Sequence, residues 1–367
     1  MITPASARAL ARTHLGPRNA ALDFDLTTLR FTSSKLPTMF LRSFNPAAKP
    51  QSRMPPRLHP RALSAQLYRH PLITRPLTTT SAAFPPPLAP TEDFISPTPT
   101  HLLDIALSPY LNTTLPSVLP KSPKPLPPGH HLVYFPPPIP ESQLLQDGSD
   151  AQHSPTPLLP RRMWAGGSLA FNSPVETFTH ALLREEITNV ADRNGKTFVS
   201  FDRYIYPDGT SAEAAIVEKR DLVFLPPATT PPPPRKRNRP PEEPDFAREF
   251  STTQHLLFRF SALTYNAHRI HYDPEFAAGV EFHVGPLVHG PLSVVFLLEL
   301  LRAERKGRVK GFVYRCLAPV VVGEEYKICG KLKSRGEVEG RMEAVYSLWS
   351  ETKSGYAVMG TATVVED

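Results

Sequence analysis

Cysteine is nearly missing from this 367-residue chain: Cys316 and Cys329 are the only two. That is too few for a disulfide framework or a cysteine-built zinc site, and it suits a reducing compartment. Long apolar runs are missing too. The best candidate, Val294 to Leu301, is interrupted by Glu299, whereas a bilayer span needs about 18 apolar residues or more, so no membrane span is expected. Acidic residues are absent from Leu26 to Thr91, a stretch that carries Arg30, Lys35, Arg42, Lys49, Arg53, Arg57, Arg61, Arg69 and Arg75. Much of the net charge of +7 therefore belongs to the N-terminus rather than to a folded face that would attract an acidic partner. Basic, Ser/Thr-containing and acid-free composition is that of a mitochondrial presequence. The run Arg75-Pro76-Leu77-Thr78-Thr79-Thr80-Ser81 reads as a processing region, and Met39-Phe40-Leu41-Arg42 as an alternative start. A disordered basic arm is the plainer alternative.

Proline is plentiful overall but scarce in two blocks. Of 45 prolines, thirty precede residue 161, nine fall between Pro226 and Pro244, and six remain; the usual share is roughly 5 percent. The predicted organisation is a leader over 1–90, a first half over 91–225 that includes a proline-rich wrapping segment, a proline-rich linker over 226–244, and a second half over 245–367. The linker holds Arg235-Lys236-Arg237-Asn238-Arg239. This run lacks the interleaved aromatics of a nucleic-acid surface, so it is read as solvated linker and no nucleic-acid partner is expected.

Within the first half, a helix is predicted around His101 to Leu107, stopping at Ser108-Pro109. Residues 113–160 are expected to wrap the next block without forming elements. Three strands are predicted, Thr179 to Ala191, Thr197 to Tyr206 and Ala212 to Leu225. Asn194-Gly195 and Asp208-Gly209 mark the hairpin turns between them. In the second half, helices are predicted at Gln254 to Tyr265 and Pro291 to Arg305. Strands follow at Val309 to Pro319, Glu324 to Lys333, Met342 to Trp349 and Tyr356 to Val364. Val322-Gly323, Ser334-Arg335-Gly336 and Ser354-Gly355 are the expected connections. The second helix is apolar on nearly every face and must be buried all round. One such helix followed by four antiparallel strands packs best with a curved sheet wrapped around it, the hot-dog architecture of the α+β class.

The densest chemistry lies in Leu263-Thr264-Tyr265-Asn266-Ala267-His268-Arg269-Ile270-His271-Tyr272-Asp273-Pro274-Glu275-Phe276-Ala277. It resembles the hydratase-2 motif of MaoC-type hot-dog enzymes, with the motif histidine at His271, its aspartate replaced by Asn266 and its asparagine by His268. Gly285-Pro286-Leu287-Val288-His289-Gly290-Pro291-Leu292 resembles the segment that opens the central helix of that superfamily. Arg161 to Gly167 and Glu218 to Phe224 resemble the N-terminal half of double hot-dog dehydratases. With the leader, the resemblance extends to fungal mitochondrial 3-hydroxyacyl-thioester dehydratases of type 2. It implies a double hot-dog enzyme that reversibly dehydrates (3R)-3-hydroxyacyl thioesters of acyl carrier protein or CoA in matrix type II fatty acid synthesis, without cofactor or metal.

Histidine suits that chemistry, because a pKa near about 6.5 lets it accept one proton and donate another. His271 is the expected acid/base, with Asn266 and His268 sharing a role that the superfamily gives to aspartate. The Gly290 amide, at a helix start where Pro291 costs no hydrogen bond, is expected to polarise the thioester carbonyl, and glycine would let that carbonyl approach. His289, Tyr265 and Trp164 are candidate substrate contacts. Three other readings stay open. One is a metal site built from His268, His271 and Asp273. Another is a hydratase for a short branched or dicarboxylic enoyl-CoA such as mesaconyl- or itaconyl-CoA. The third is an inactive acyl-thioester-binding module, suggested by the amide at 266. Two hot-dog units in one chain allow a monomer or a weak homodimer.

Overall fold

The computed structural model describes residues 88–366 except 157, 208–210, 232–241 and 306. The expected leader, its processing region, the Asp208-Gly209 turn and most of the proline-rich linker lie outside the described residues. In the first half, β1 (Thr91–Phe94) and α1 (Pro97–Leu111) precede β2 (Arg161–Phe171), β3 (His180–Arg193), β4 (Lys196–Pro207) and β5 (Ile216–Leu225). The second half runs β6 (Phe246–Ser251), α2 (Gln254–Leu263), α3 (Pro274–Gly279), α4 (Gly290–Glu304), β7 (Arg308–Cys316), β8 (Glu325–Val338), β9 (Arg341–Thr352) and β10 (Gly355–Val365). All pairings are antiparallel, in one ten-stranded sheet ordered β1-β3-β4-β5-β2-β7-β10-β9-β8-β6. Read inward from each edge, the halves show the same order, so one structural unit occurs twice and is joined edge to edge through β2 and β7. No helix among the described residues is long and apolar enough to cross a membrane.

Helix α4 is the hub. Leu292, Val295, Phe296, Leu297 and Leu298 are all fully buried, as an all-round apolar helix requires, and α4 packs on β6, β8, β9 and α1. One apolar cluster runs from Ile95 and Leu107 in the first half through α4 to Tyr346 and Ala362 in the second. The two halves therefore share a core.

Several local expectations are corrected. Helix α1 continues through Pro109 to Leu111, ending at Asn112 in the left-handed region with φ 53°. Proline at 109 leaves the Ile105 carbonyl without its helical N–H, and the Ser108 hydroxyl donates to that carbonyl instead at 3.1 Å. The turn expected at Ser334 to Gly336 lies inside β8. An irregularity between Leu332 and Ser334 keeps the strand running, and the reversal falls at Glu339-Gly340, with φ 50° and 75°. Asn194-Gly195 does make the β3–β4 turn, with φ 52° and 71°, the positive values that a two-residue hairpin favours. Strands β1, β2 and β6 were not foreseen. Within 113–160 two short 3₁₀ turns form, His130–Val133 and Glu141–Gln143, and residues 130–135 are buried in the core.

Candidate active site

The segment from Leu263 to Ala277 folds as a helix end, a tight turn and a helix start. Thr264 Oγ1 donates to the Phe260 carbonyl at 2.7 Å, closing α2, and Tyr265 turns the chain with φ 52°. Asn266 Oδ1 then accepts the His268 amide at 2.9 Å, the side-chain turn to which asparagine is suited. A 3₁₀ turn, Arg269–His271, follows. Asp273 caps α3 by accepting the Phe276 amide at 2.9 Å, and its other oxygen takes Arg269 at 2.8 Å. With both oxygens so engaged, Asp273 does not join His268 and His271, whose rings lie 5.5 Å apart.

His271 Nδ1 lies 2.8 Å from the Leu287 carbonyl oxygen. A carbonyl only accepts, so Nδ1 carries the hydrogen and Nε2 keeps its lone pair. Burial, reinforced by the His268 ring and by Arg162 and opposed by the Leu287 carbonyl, pulls its pKa down to about 3. The ring is therefore neutral at physiological pH, the state of a proton acceptor.

His289 stacks on His271 with centroids 3.6 Å apart and planes 18° from parallel. It is 1 % exposed, its Nε2 lies 2.9 Å from Ser261 Oγ, and burial, then the other two histidines, depress its pKa well below the usual range. It lies behind His271 rather than in the cavity wall, which corrects its expected substrate contact: as the residue before the helix start, it turns inward against α2.

A cavity of about 850 Å³ opens in front of this cluster, within the range of small-ligand sites. Asn266, His268, His271, Gly290, Tyr265 and Trp164 all line it, so of the expected catalytic and substrate-binding residues only His289 is left outside. Its far wall comes from the first half, where Phe198, Phe201 and Leu222 on β4 and β5 alternate with Arg203 and Arg220 of the same strands. The arginines of that wall are each paired: Arg162 with Asp150 at 2.9 Å, Arg203 with Glu218 at 2.8 Å and Arg220 with Glu218 at 2.6 Å.

Gly290 begins α4, where its N–H has no helical acceptor. Packing also requires glycine here, since a Cβ would meet Trp164 Cβ at 2.9 Å. Trp164 is fixed in turn by donating to Tyr314 Oη at 2.9 Å, with the Arg220 guanidinium 5.0 Å from the ring centroid.

One site residue was missed from sequence. Asp147, in the proline-rich segment, sets Oδ2 3.3 Å from His268 Nε2 while Oδ1 accepts the Ser149 amide and hydroxyl at 2.9 and 2.7 Å. Burial works against its ionised form, but the His268 and Ser149 contacts outweigh it and hold the pKa at about 2. Asp147-Gly148 is visible in sequence only as a turn signal; nothing in its spacing points to residue 268.

A family profile described as "Hydroxyacyl-thioester dehydratase type 2" matches residues 129–322, more than half of the chain. The chain belongs to that family. Mesaconyl-C(4)-CoA hydratase of Chloroflexus aurantiacus is 37% identical over 211 residues, covering 56% of this chain and 74% of that protein. The mitochondrial hydroxyacyl-thioester dehydratase type 2 of Schizosaccharomyces pombe is 29% identical over 269 residues, covering 65% and 88%. Among solved structures, a MaoC-like dehydratase from Phytophthora capsici superposes with a TM-score of 0.55 at 14% identity, covering 77% of this chain and 96% of that one. That likeness shows the fold, the double hot-dog expected from the sequence. As a member of the family, the chain is a hydro-lyase acting on acyl thioesters, a hydroxyacyl-thioester dehydratase or hydratase.

Proposed function

We propose that this hydroxyacyl-thioester dehydratase converts (3R)-3-hydroxyacyl thioesters, on acyl carrier protein or CoA, to trans-2-enoyl thioesters in mitochondrial type II fatty acid synthesis, in the matrix. The observation that carries the reading is the bond from His271 to the Leu287 carbonyl, which leaves an Nε2 lone pair on a residue that lines the cavity. In this mechanism Nε2 removes the C2 proton while the Gly290 amide and the start of α4 stabilise the charge developing on the thioester oxygen. The C3 hydroxyl takes up a proton and leaves as water, its C–O bond breaking as the C2–H pair forms the double bond. The side chains of Phe198, Phe201 and Leu222 in that wall suit an uncharged acyl chain. The arginine-rich leader, acid-free from Leu26 onward, and the mitochondrial names of two fungal relatives support the compartment. Pairing of two hot-dog units within one chain supports a monomer or a weak homodimer.

The second reading is hydration of a short dicarboxylic enoyl-CoA, favoured by the 37% identity to mesaconyl-C(4)-CoA hydratase. Against it stands the pairing of Arg162, Arg203 and Arg220 with protein carboxylates, which leaves these cations committed rather than open to a substrate carboxylate. Assaying the purified enzyme on 3-hydroxyacyl-CoA of several chain lengths, their acyl carrier protein forms and mesaconyl-CoA separates the readings. Highest kcat/KM on an uncharged hydroxyacyl thioester is expected. Preference for mesaconyl-CoA would support the second reading, and tight binding without turnover an inactive module.

A further inference from the structure

We propose that Asp147 is a positioning residue for His268, and that the Asp147–His268 pair forms a second proton-transfer group which serves the C3 hydroxyl while His271 serves C2. This rests on the reading above, in which His271 takes the C2 proton, and it divides between two histidines the work that one was expected to do.

Two loops far apart in sequence are clamped together at this point. Asp147 Oδ2 faces His268 Nε2 at 3.3 Å, and the Asp147 carbonyl accepts the Arg269 amide at 2.8 Å. Gly148, with φ 80°, lies so close to the catalytic turn that a Cβ would meet the Ala267 carbonyl oxygen at 2.0 Å. The carboxylate is anchored by Ser149 through its other oxygen, and Oδ2, which takes no other partner, stands at ion-pair distance from Nε2. Asn266 cannot do this work, since its acceptor oxygen is taken by the His268 amide and an amide does not take up protons. The carboxylate absent from the motif thus returns from the proline-rich segment, directed to His268 and not to the position it would occupy in the motif.

Elimination of water requires two proton movements. His271 Nε2 accepts the C2 proton, and the C2–H electron pair becomes the C2=C3 bond. The C3–O pair departs with the oxygen, which takes the Nδ1 proton of a doubly protonated His268 and leaves as water. His271 then holds one proton more and His268 one fewer. Transfer from the first to the second resets the site, with no net gain or loss of protons per turnover. An ionised carboxylate beside Nε2 fixes the orientation of that ring and offsets the positive charge it carries when both nitrogens are protonated, the function a carboxylate performs beside histidine in hydrolytic triads.

The test is steady-state kinetics of the full chain and of Asp147→Asn, Asp147→Glu, His268→Gln, the double variant Asp147→Asn/His268→Gln, and His271→Gln, on a 3-hydroxyacyl-CoA. Asp147→Asn should lower kcat by about 10²-fold with KM changed far less, and Asp147→Glu should restore part of the loss. Because residues acting as one unit are not additive, the double variant should be no slower than His268→Gln alone. Wild-type kcat in Asp147→Asn, or multiplicative losses in the double variant, would overturn the proposal while leaving His271 in place. An active His271→Gln would remove the underlying reading instead. Should Asp147→Asn not fold, ¹⁵N-histidine NMR of the wild-type enzyme decides: a proton on His268 Nε2 in the neutral ring is expected, and a neutral ring protonated only on Nδ1 contradicts the pairing.

Discussion

A methyl group at residue 290 would sit 2.9 Å from Trp164 Cβ and 3.1 Å from its Cγ, inside the contact distance of two carbons. Trp164 is not free to yield, being tied to Tyr314. Gly290→Ala should therefore cost about 1–3 kcal/mol, as overpacking does, and thermal melting would measure it. Adding Trp164→Gly, which removes the opposing Cβ as well as the ring, should make the methyl group nearly harmless. A Gly290→Ala protein as stable as wild type would show that the helix start does not bear on the tryptophan. Locally, much of this site is legible in sequence, because Asn266, His268 and His271 lie on one turn whose bonds are made within a few residues. Two things are not legible. Asp147 reaches His268 through folding of a distant segment, and the direction of His289 is set by the Ser261 hydroxyl on α2.

Elements differ in the same way. The apolar circumference of α4 and the Asn194-Gly195 turn are local signals, and both appear where expected. Strand β2 is obscured by Trp164-Ala165-Gly166-Gly167: its pairing with β5 shifts register between Trp164 and Gly166, which breaks the alternation a reader looks for, and distant partners β5 and β7 supply its stability. The last turn of α1 is hidden for a different reason. Proline at 109 signals a stop, and only the bond from Ser108 to Ile105 and the burial of Leu111, 2 % exposed, explain why the helix goes on. The proline-rich segment is least legible of all. Prolines advertise an external wrapping, while His130 to Phe135 lie inside.

At the scale of the molecule, the same units repeat and share a core, and polar groups are buried where they meet. His130 Nε2 lies 3.3 Å from Glu299 on α4, which also takes Arg302, tying the proline-rich segment to the hub. Several histidines are held neutral inside. Burial lowers His271 to about 3 and His153 to about 4, and pushes His131 down as well. In the unfolded chain these rings take up protons as pH falls through about 6.5, while in the folded protein they resist until lower pH. Between those limits the unfolded state binds more protons, so stability is full above about 6.5 and is lost as pH falls. The urea midpoint should decline from pH 7 to pH 4, and a flat or rising midpoint would contradict neutral burial of these side chains.

The central claim is that His271 performs the proton transfer at C2. It is tested most directly by replacing His271 with Gln and measuring dehydration of a 3-hydroxyacyl-CoA, with melting temperature as the check on folding. A folded variant whose kcat is down by about 10²–10⁴-fold is the predicted result. Near-normal turnover in a folded His271→Gln enzyme would contradict it.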